Sequence, residues 1–425
     1  MMKEKRLVPE LRFSRFKDDW FVKIYEEIYT FYSTNSYSRE YLNNEKGLVK
    51  NIHYGDIHKK FETVFDITKE NVPFINDDVN LSKIKDENYC KEGDLIIADA
   101  SEDYSDIGKT IEIKNINKES LLAGLHTFLA RPNKYKMAIG FTGYLVKSWG
   151  VRKQIMTIAQ GTKVLGLSTG RLSKVKLTIP TVKEQQKIAN FLSSIDNQIQ
   201  SLEKKKTLLE DYKKGIIQKI FKQELMFKDD NGDSFPEWKE KQLSDLSERI
   251  KTKNKIDNQN VLTISSQLGL ISQLEYFNKS VSAKNLTGYY LIEKNDFAYN
   301  KSYSNGYPMG AIKRLNRYDF GVVSTLYICF RFNKKVSLDF MEQYFESGLQ
   351  NREIEKVAQE GARNHGLLNI GVNDFFDIDV KIPCVKEQIK IASFLSAIDK
   401  NIAIVNQKIA HTKTYKKGLL QQMFV

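Results

Sequence analysis

The sequence predicts an α/β architecture: two mixed α/β bodies and two long helices that pair as an antiparallel coiled coil, related by a pseudo-two-fold internal repeat. Three observations carry this. One segment occurs twice, both copies space their apolar residues alternately by four and three, and strand-like runs fill the chain ahead of each copy.

The repeat is plain. Residues 179–221 read IPTVKEQQKIANFLSSIDNQIQSLEKKKTLLEDYKKGIIQKIF and residues 382–424 read IPCVKEQIKIASFLSAIDKNIAIVNQKIAHTKTYKKGLLQQMF, with a constant offset of 203 and 22 of 43 positions identical. A fainter echo runs upstream. Gly161–Leu167 parallels Gly361–Leu367, Asp94-Leu-Ile-Ile-Ala parallels Asp296-Phe-Ala-Tyr-Asn, and Trp20 and Trp238 each open a unit. The ends of the units are close copies, while the bodies have diverged.

Each copy follows an Ile-Pro pair, and proline suits the entry to a helix. Ile188, Leu192, Ile195, Ile199 and Leu202 form the seam of the first helix, and Ile391, Leu395, Ile398, Ile402 and Val405 that of the second. This is coiled-coil spacing. A helix of roughly 36–40 residues is about 55–60 Å long, too long for one body's interior, so the natural partner of each is the other. A pseudo-dyad makes the pair antiparallel. Phe191 and Phe394 widen the apolar face at each helix start, which predicts packing on a globular body there. The expected divisions are a first body over 1–182, a central helix over 183–222, a second body over 223–385 and a closing helix over 386–425.

Within the bodies, Asp94–Ala98, Thr110–Lys114, Leu121–Ala130, Val322–Phe332 and Asp377–Ile382 read as strands. Ser337–Gln359 reads as helix, and Gly306, Pro308 and Gly310 as turns.

Charge narrows the function. The net charge of +13 calls for a polyanion, with nucleic acid ahead of an anionic membrane surface. Residues 131–182 hold ten Lys/Arg and no acidic residue, whereas 15–130 hold fifteen basic and twenty-two acidic. In the second body, 294–335 hold eight basic and two acidic, with a Tyr/Asn/Ser-rich run from Tyr299 to Tyr307. Such side chains suit phosphates and base edges. The three cysteines, Cys90, Cys329 and Cys384, form no disulfide framework or metal spacing, which points to a reducing cytoplasm. No apolar run has the length of a membrane span, and no signal-peptide pattern follows Met1.

Catalytic constellations are missing from the sequence. It has no Gly-x-x-x-x-Gly-Lys-Ser/Thr loop, no Asn/Asp-Pro-Pro-aromatic run and no Gly-x-Gly loop for S-adenosylmethionine, and His53 and His58 have no third ligand nearby. Asp94 or Asp99 followed by Glu112-Ile113-Lys114 loosely echoes a metal-dependent nuclease, but alternating charge on an exposed strand explains it equally well. Neither catalytic nor metal-ligating residues are expected.

The doubled Pro-x-x-Lys-Glu-Gln…Ile-Ala…Leu…Ile-Asp pattern, with the Val8–Trp20 and Phe235-Pro-Glu-Trp238 openings, resembles the specificity subunit of type I restriction–modification systems over the full length. The resemblance implies that each body is a target recognition domain reading one half of a bipartite double-stranded DNA site. It implies that the helices set the half-site distance and dock two modification (methyltransferase) subunits, with ATP-dependent restriction subunits completing the nuclease. S-adenosylmethionine, ATP and Mg²⁺ would belong to those partners, and this chain would hold no cofactor. The expected DNA contacts are Lys109, Arg131, Lys134, Lys136, Arg152, Lys153, Lys163 and Arg171 in the first body. In the second they are Asn300, Lys301, Tyr303, Asn305, Lys313, Arg314, Arg363 and Asn364. The competing class is a coiled-coil assembly scaffold with non-specific DNA binding.

Overall fold

The computed structural model describes residues 7–133, 136–265, 268–278, 285–358 and 368–425. The chain divides into two compact units, Met1–Lys204 with Asn406–Val425, and Lys205–Val405. The division cuts both long helices, Val182–Phe221 and Val385–Gln422. Each unit therefore holds the first half of one helix and the second half of the other.

The first unit is built on a five-stranded sheet in the order Tyr29–Tyr32, Thr127–Pro132, Leu95–Ala98, Thr110–Asn115, Val64–Asp66. Leu95-Ile-Ile-Ala98 is buried at every residue, as a central strand covered on both faces requires. The second unit repeats the first four positions with Ser247–Arg249, Ile328–Phe332, Phe297–Asn300 and Ala311–Arg314. In both, one carboxylate at the start of the central strand is held by one arginine from the strand beside it. Arg131 pairs with Asp94 at 2.8 Å, and Arg331 with Asp296 at 2.6 Å. The Asp94/Asp296 parallel in the sequence is this shared device.

Two long runs split. Leu121–Ala130 is two strands, Ser120–Ala123 and Thr127–Pro132, because His126 turns the chain at a φ of 55° and a Cβ on Gly124 would lie 2.8 Å from the Ile52 carbonyl oxygen. Val322–Phe332 likewise divides into Phe320–Val323 and Ile328–Phe332. Gly348, at a φ of 75°, breaks the helical run into Leu338–Glu346 and Asn351–Val357.

A two-stranded antiparallel ribbon leads into each long helix: Phe21–Ile24 with Lys176–Ile179, and Lys239–Gln242 with Asp379–Ile382. The Lys-Glu-Gln motif then fixes the helix start to its body. Gln185 Oε1 accepts from the Ala138 backbone NH at 2.9 Å while its Nε2 donates to the Pro180 carbonyl at 2.9 Å. Gln388 does the same with Ser337 NH at 2.7 Å and Pro383 O at 2.9 Å. Glu184 is clamped by the Arg12 guanidinium through two 2.7 Å bonds, an arrangement that raises the arginine's pKa.

In the first unit, Ile188, Leu192, Ile195 and Ile199 enter the body's core together with Leu419, Met423 and Phe424 from the far end of the other helix. In the second, Ile391, Leu395 and Ile398 do so with Ile220, and Ile402 packs partly buried against them. Val405 is buried and Leu202 partly so. Phe191 stacks edge-on against Phe13, and Phe394 against Phe227, so both helix starts pack on globular bodies. Asp196 pairs with Lys416 and Glu203 with Lys413 in the first unit, and Asp399 with Lys213 in the second. One partner rises in number as the other falls, so the helices run antiparallel. Asp196 and Asp399 are repeat equivalents, as are Lys213 and Lys416. Each copy therefore gives its aspartate to the other copy's lysine, once in each unit. Phe424 packs edge-on against Trp20, and Phe221 against Trp238, by the same rule.

Candidate nucleic-acid interface

The first body contributes both internally bonded cations and an exposed basic cleft. Arg131 is a brace. Its Nε and Nη2 bind Asp94, its Nη1 donates to Glu87 O at 3.0 Å, and its guanidinium lies over the Tyr32 ring at 4.4 Å. Arg152 turns inward from helix Trp149–Ile158 to donate to Ile107 O at 2.7 Å and Ser105 O at 3.0 Å, and burial lowers its pKa. Lys109 Nζ donates to His58 O at 2.7 Å, and Lys136 Nζ to Glu27 O at 3.1 Å. These contacts tie the four cations to loops of the body.

Lys153 and Arg171 are brought together. They are exposed on neighbouring helices, Trp149–Ile158 and Thr169–Leu172, and line a cleft of about 280 Å³ that Lys174 also borders. Lys174 was missed by the sequence reading, although it follows Arg171 within one helical turn. Trp149, 64% exposed, precedes Lys153 by four residues and so shares its helix face. Lys163 is exposed in the connection before strand Leu165–Gly166. Lys134 lies outside the described residues.

In the second body, Lys301, Tyr303 and Asn305 lie in the hairpin loop joining Phe297–Asn300 to Ala311–Arg314, with Tyr303 and Asn305 exposed around a Ser304–Tyr307 bridge. Asn300 closes the preceding strand and accepts from Ser302 NH at 3.1 Å, while Lys301 Nζ reaches Ile370 O at 3.5 Å. Lys313 and Arg314 are braces: Lys313 is buried against Glu346 at 2.5 Å, and Arg314 binds Asp339 at 2.6 Å and Asn295. Both line a cleft of about 800 Å³ in this unit, with Lys213, Lys214 and Arg317 facing Glu210, Glu342, Glu346 and Asp399. Charge there is nearly balanced, five cations against four carboxylates. Arg363 and Asn364 lie outside the described residues.

The nuclease-like carboxylates are engaged elsewhere. Both oxygens of Asp94 face Arg131, and Glu112 is buried with its two oxygens accepting from Gly140 and Gly143 NH at 2.7 Å each. Burial pushes the Glu112 carboxyl up to about 7 against the pull of those bonds. Among the described residues, no three His, Cys, Asp or Glu side chains are grouped to hold a metal, and no helix is long and apolar enough to cross a membrane.

Comparison with known proteins matches this duplicated geometry. The family model for the type I restriction modification DNA specificity domain matches residues 27–211 and again 236–413. The type I restriction enzyme MjaX specificity subunit of Methanocaldococcus jannaschii is 30% identical over 130 residues. That match spans 30% of this chain and 30% of the relative's length. In fold, the chain is similar to the S subunit of the type I restriction–modification system from M. genitalium, with a TM-score of 0.57, 12% identity, and 98% and 99% of the two chains covered. It is also similar to a chain solved in work on complex assembly and conformational transition of the type I R-M system, with a TM-score of 0.52, 12% identity, and 95% and 96% covered. A family model matched twice, once across each copy of the repeat, covers most of the sequence, and the chain belongs to the type I restriction modification DNA specificity family.

Proposed function

We propose that this chain is the cytoplasmic DNA-recognition subunit of a type I restriction–modification complex. Each body reads one half of a bipartite site, and the paired helices hold the two readers at a fixed separation and dock two modification subunits. Methyl transfer, with S-adenosylmethionine, lies in those subunits, and ATP-driven cleavage in the restriction subunits. The observation that carries this reading is the reciprocal pairing of Asp196 with Lys416 and Asp399 with Lys213. The same contact is made once in each unit while the bodies differ, which suits two unlike half-sites at set spacing.

Within the bodies, Lys153, Lys163, Arg171 and Lys174 are the favoured contacts of the first reader. Asn300, Lys301, Tyr303 and Asn305 are those of the second. The internally bonded Arg131, Arg152, Lys109, Lys136, Lys313 and Arg314 serve the shape of the reader rather than the contact. The test is DNA binding by the chain with its modification subunits, titrated with salt. The proposal expects a sequence-specific component that survives as the electrostatic one fades. Binding that stays indifferent to sequence at every salt concentration contradicts it and favours the scaffold reading.

A further inference from the structure

The two bodies carry the same hairpin with opposite chemistry. Residues 94–112 of the first correspond to 296–314 of the second at a constant offset of 202. Leu95 pairs with Glu112 as Phe297 pairs with Arg314, and the loops close at Gly108 and Gly310, with φ values of 69° and 75°. The Asp99 carbonyl accepts from Leu167 NH at 2.8 Å, and the Lys301 carbonyl from Leu368 NH at 3.0 Å. The favoured contact loop of the second reader, Lys301–Met309, therefore has its counterpart in Asp99–Ile107. The second loop holds one lysine and no carboxylate, whereas the first holds four carboxylates and no lysine or arginine.

Three of those carboxylates are engaged within the body. Asp99 lies 3.2 Å from His126 Nδ1, Asp103 Oδ1 accepts from Ser105 NH at 2.8 Å, and Asp106 lies 3.9 Å from Lys109 Nζ. Glu102 is exposed and makes no hydrogen bond or ion pair among the described residues. Arg152 holds the backbone of this loop in shape through the Ser105 and Ile107 carbonyls. Ala100–Ser101 pairs with Leu165–Gly166, so the connection that bears Lys163, a favoured phosphate contact, runs beside the loop. A carboxylate in that place repels phosphate. What it accepts from on a duplex is an exocyclic amino group, and in the major groove the donor suited to a carboxylate is cytosine N4. Such a contact gives up affinity to the phosphates and returns discrimination against other bases.

We propose that Glu102 is a specificity-determining residue of the first reader, accepting from the amino group of one cytosine in its half-site. This rests on the DNA-recognition reading above. It also gives the difference between the two half-sites a chemical basis, an acceptor loop in one body and a loop of amides, hydroxyls and a lysine in the other.

The test is binding of the full-length chain with its modification subunits to duplexes carrying its methylated site, with each base pair of both half-sites replaced in turn, for wild type and Glu102→Ala. Glu102 is exposed and unbonded, so the melting temperature should not change. Wild type should discriminate at one C·G pair of one half-site by roughly 5–150-fold, the range for one mismatched pair. The variant should lose that discrimination at that pair alone, and its affinity for duplexes without the site should be held or raised, because a negative charge has left the interface. Discrimination kept at every pair, lost in both half-sites alike, or lost at a pair other than C·G overturns the assignment of Glu102 alone, as does an equal loss of affinity for all duplexes. Wild type that discriminates at no position overturns the recognition reading and this inference with it.

Discussion

Removing Lys416 should cost more than removing its repeat equivalent, Lys213. The side chains of the Lys416–Asp196 pair are 15% and 14% exposed, whereas those of Lys213–Asp399 are 17% and 42% exposed. Taking one partner from a fully buried pair costs about 3–5 kcal/mol, and an exposed pair contributes about 0–1 kcal/mol. After Lys416→Met, Asp196 keeps the Tyr144 hydroxyl, which donates to it at 2.7 Å, and the charge of Lys147 nearby. After Lys213→Met, Asp399 keeps the Gln343 amide at 2.8 Å and is already well hydrated. Interpolating between the two limits gives about 2 kcal/mol for Lys416→Met and about 1 kcal/mol for Lys213→Met. For units of this size that is roughly 4–8 °C and 2–4 °C in Tm. A double-mutant cycle with Asp196→Asn, followed by urea unfolding, isolates the pair. Equal losses for the two lysine variants, or a coupling under about 0.5 kcal/mol for Lys416–Asp196, would refute the reciprocal pairing as the basis of the scaffold.

Three further predictions concern the bodies. Glu112→Gln leaves one of the Gly140 and Gly143 amides facing an NH2 group, so the first unit should lose about 1–3 kcal/mol in thermal unfolding, and an unchanged Tm would contradict the double acceptor role. Because the folded Glu112 carboxyl titrates near 7, above its unfolded value, the native state holds the extra proton in between. Stability of the first unit should therefore fall as pH rises from about 4.5 to 7, and the Gln variant should lack that slope. Lys153→Glu with Arg171→Glu should weaken DNA binding across sequences and reduce the salt slope by about 2, with no effect on folding, whereas an unaltered slope would remove that cleft from the interface.

The sequence revealed the repeat because its helical ends must satisfy the same contacts twice. Gln185 and Gln388 staple helix starts, Phe221 and Phe424 cover tryptophans, and every such residue is identical between copies. The seam was legible from its spacing, but its role was mixed. Ile195 and Ile398 sit in body cores, so a lysine at either would destabilise its unit as well as part the helices. Charge placement alone could not show which cations are bonded within the body. Arg131 and Arg152 look like free cations in a stretch without acids, but their partners, Asp94 and the carbonyls of Ser105 and Ile107, lie 37 to 47 residues earlier. A signal for Arg131 existed in the Asp94/Asp296 parallel, since Arg331 stands on the matching strand of the second body. The lysines at seam positions 213 and 416 were another, each awaiting the aspartate that the other copy supplies.

The central claim is that the two bodies read DNA independently on a shared scaffold. Mapping methylated bases in cells carrying the modification subunit and a chain whose residues 1–182 are exchanged for another family member's first body tests it directly. The account predicts that one half-site changes while the other half-site and the spacing between them stay as they were. A change in both half-sites, or in neither, would contradict it.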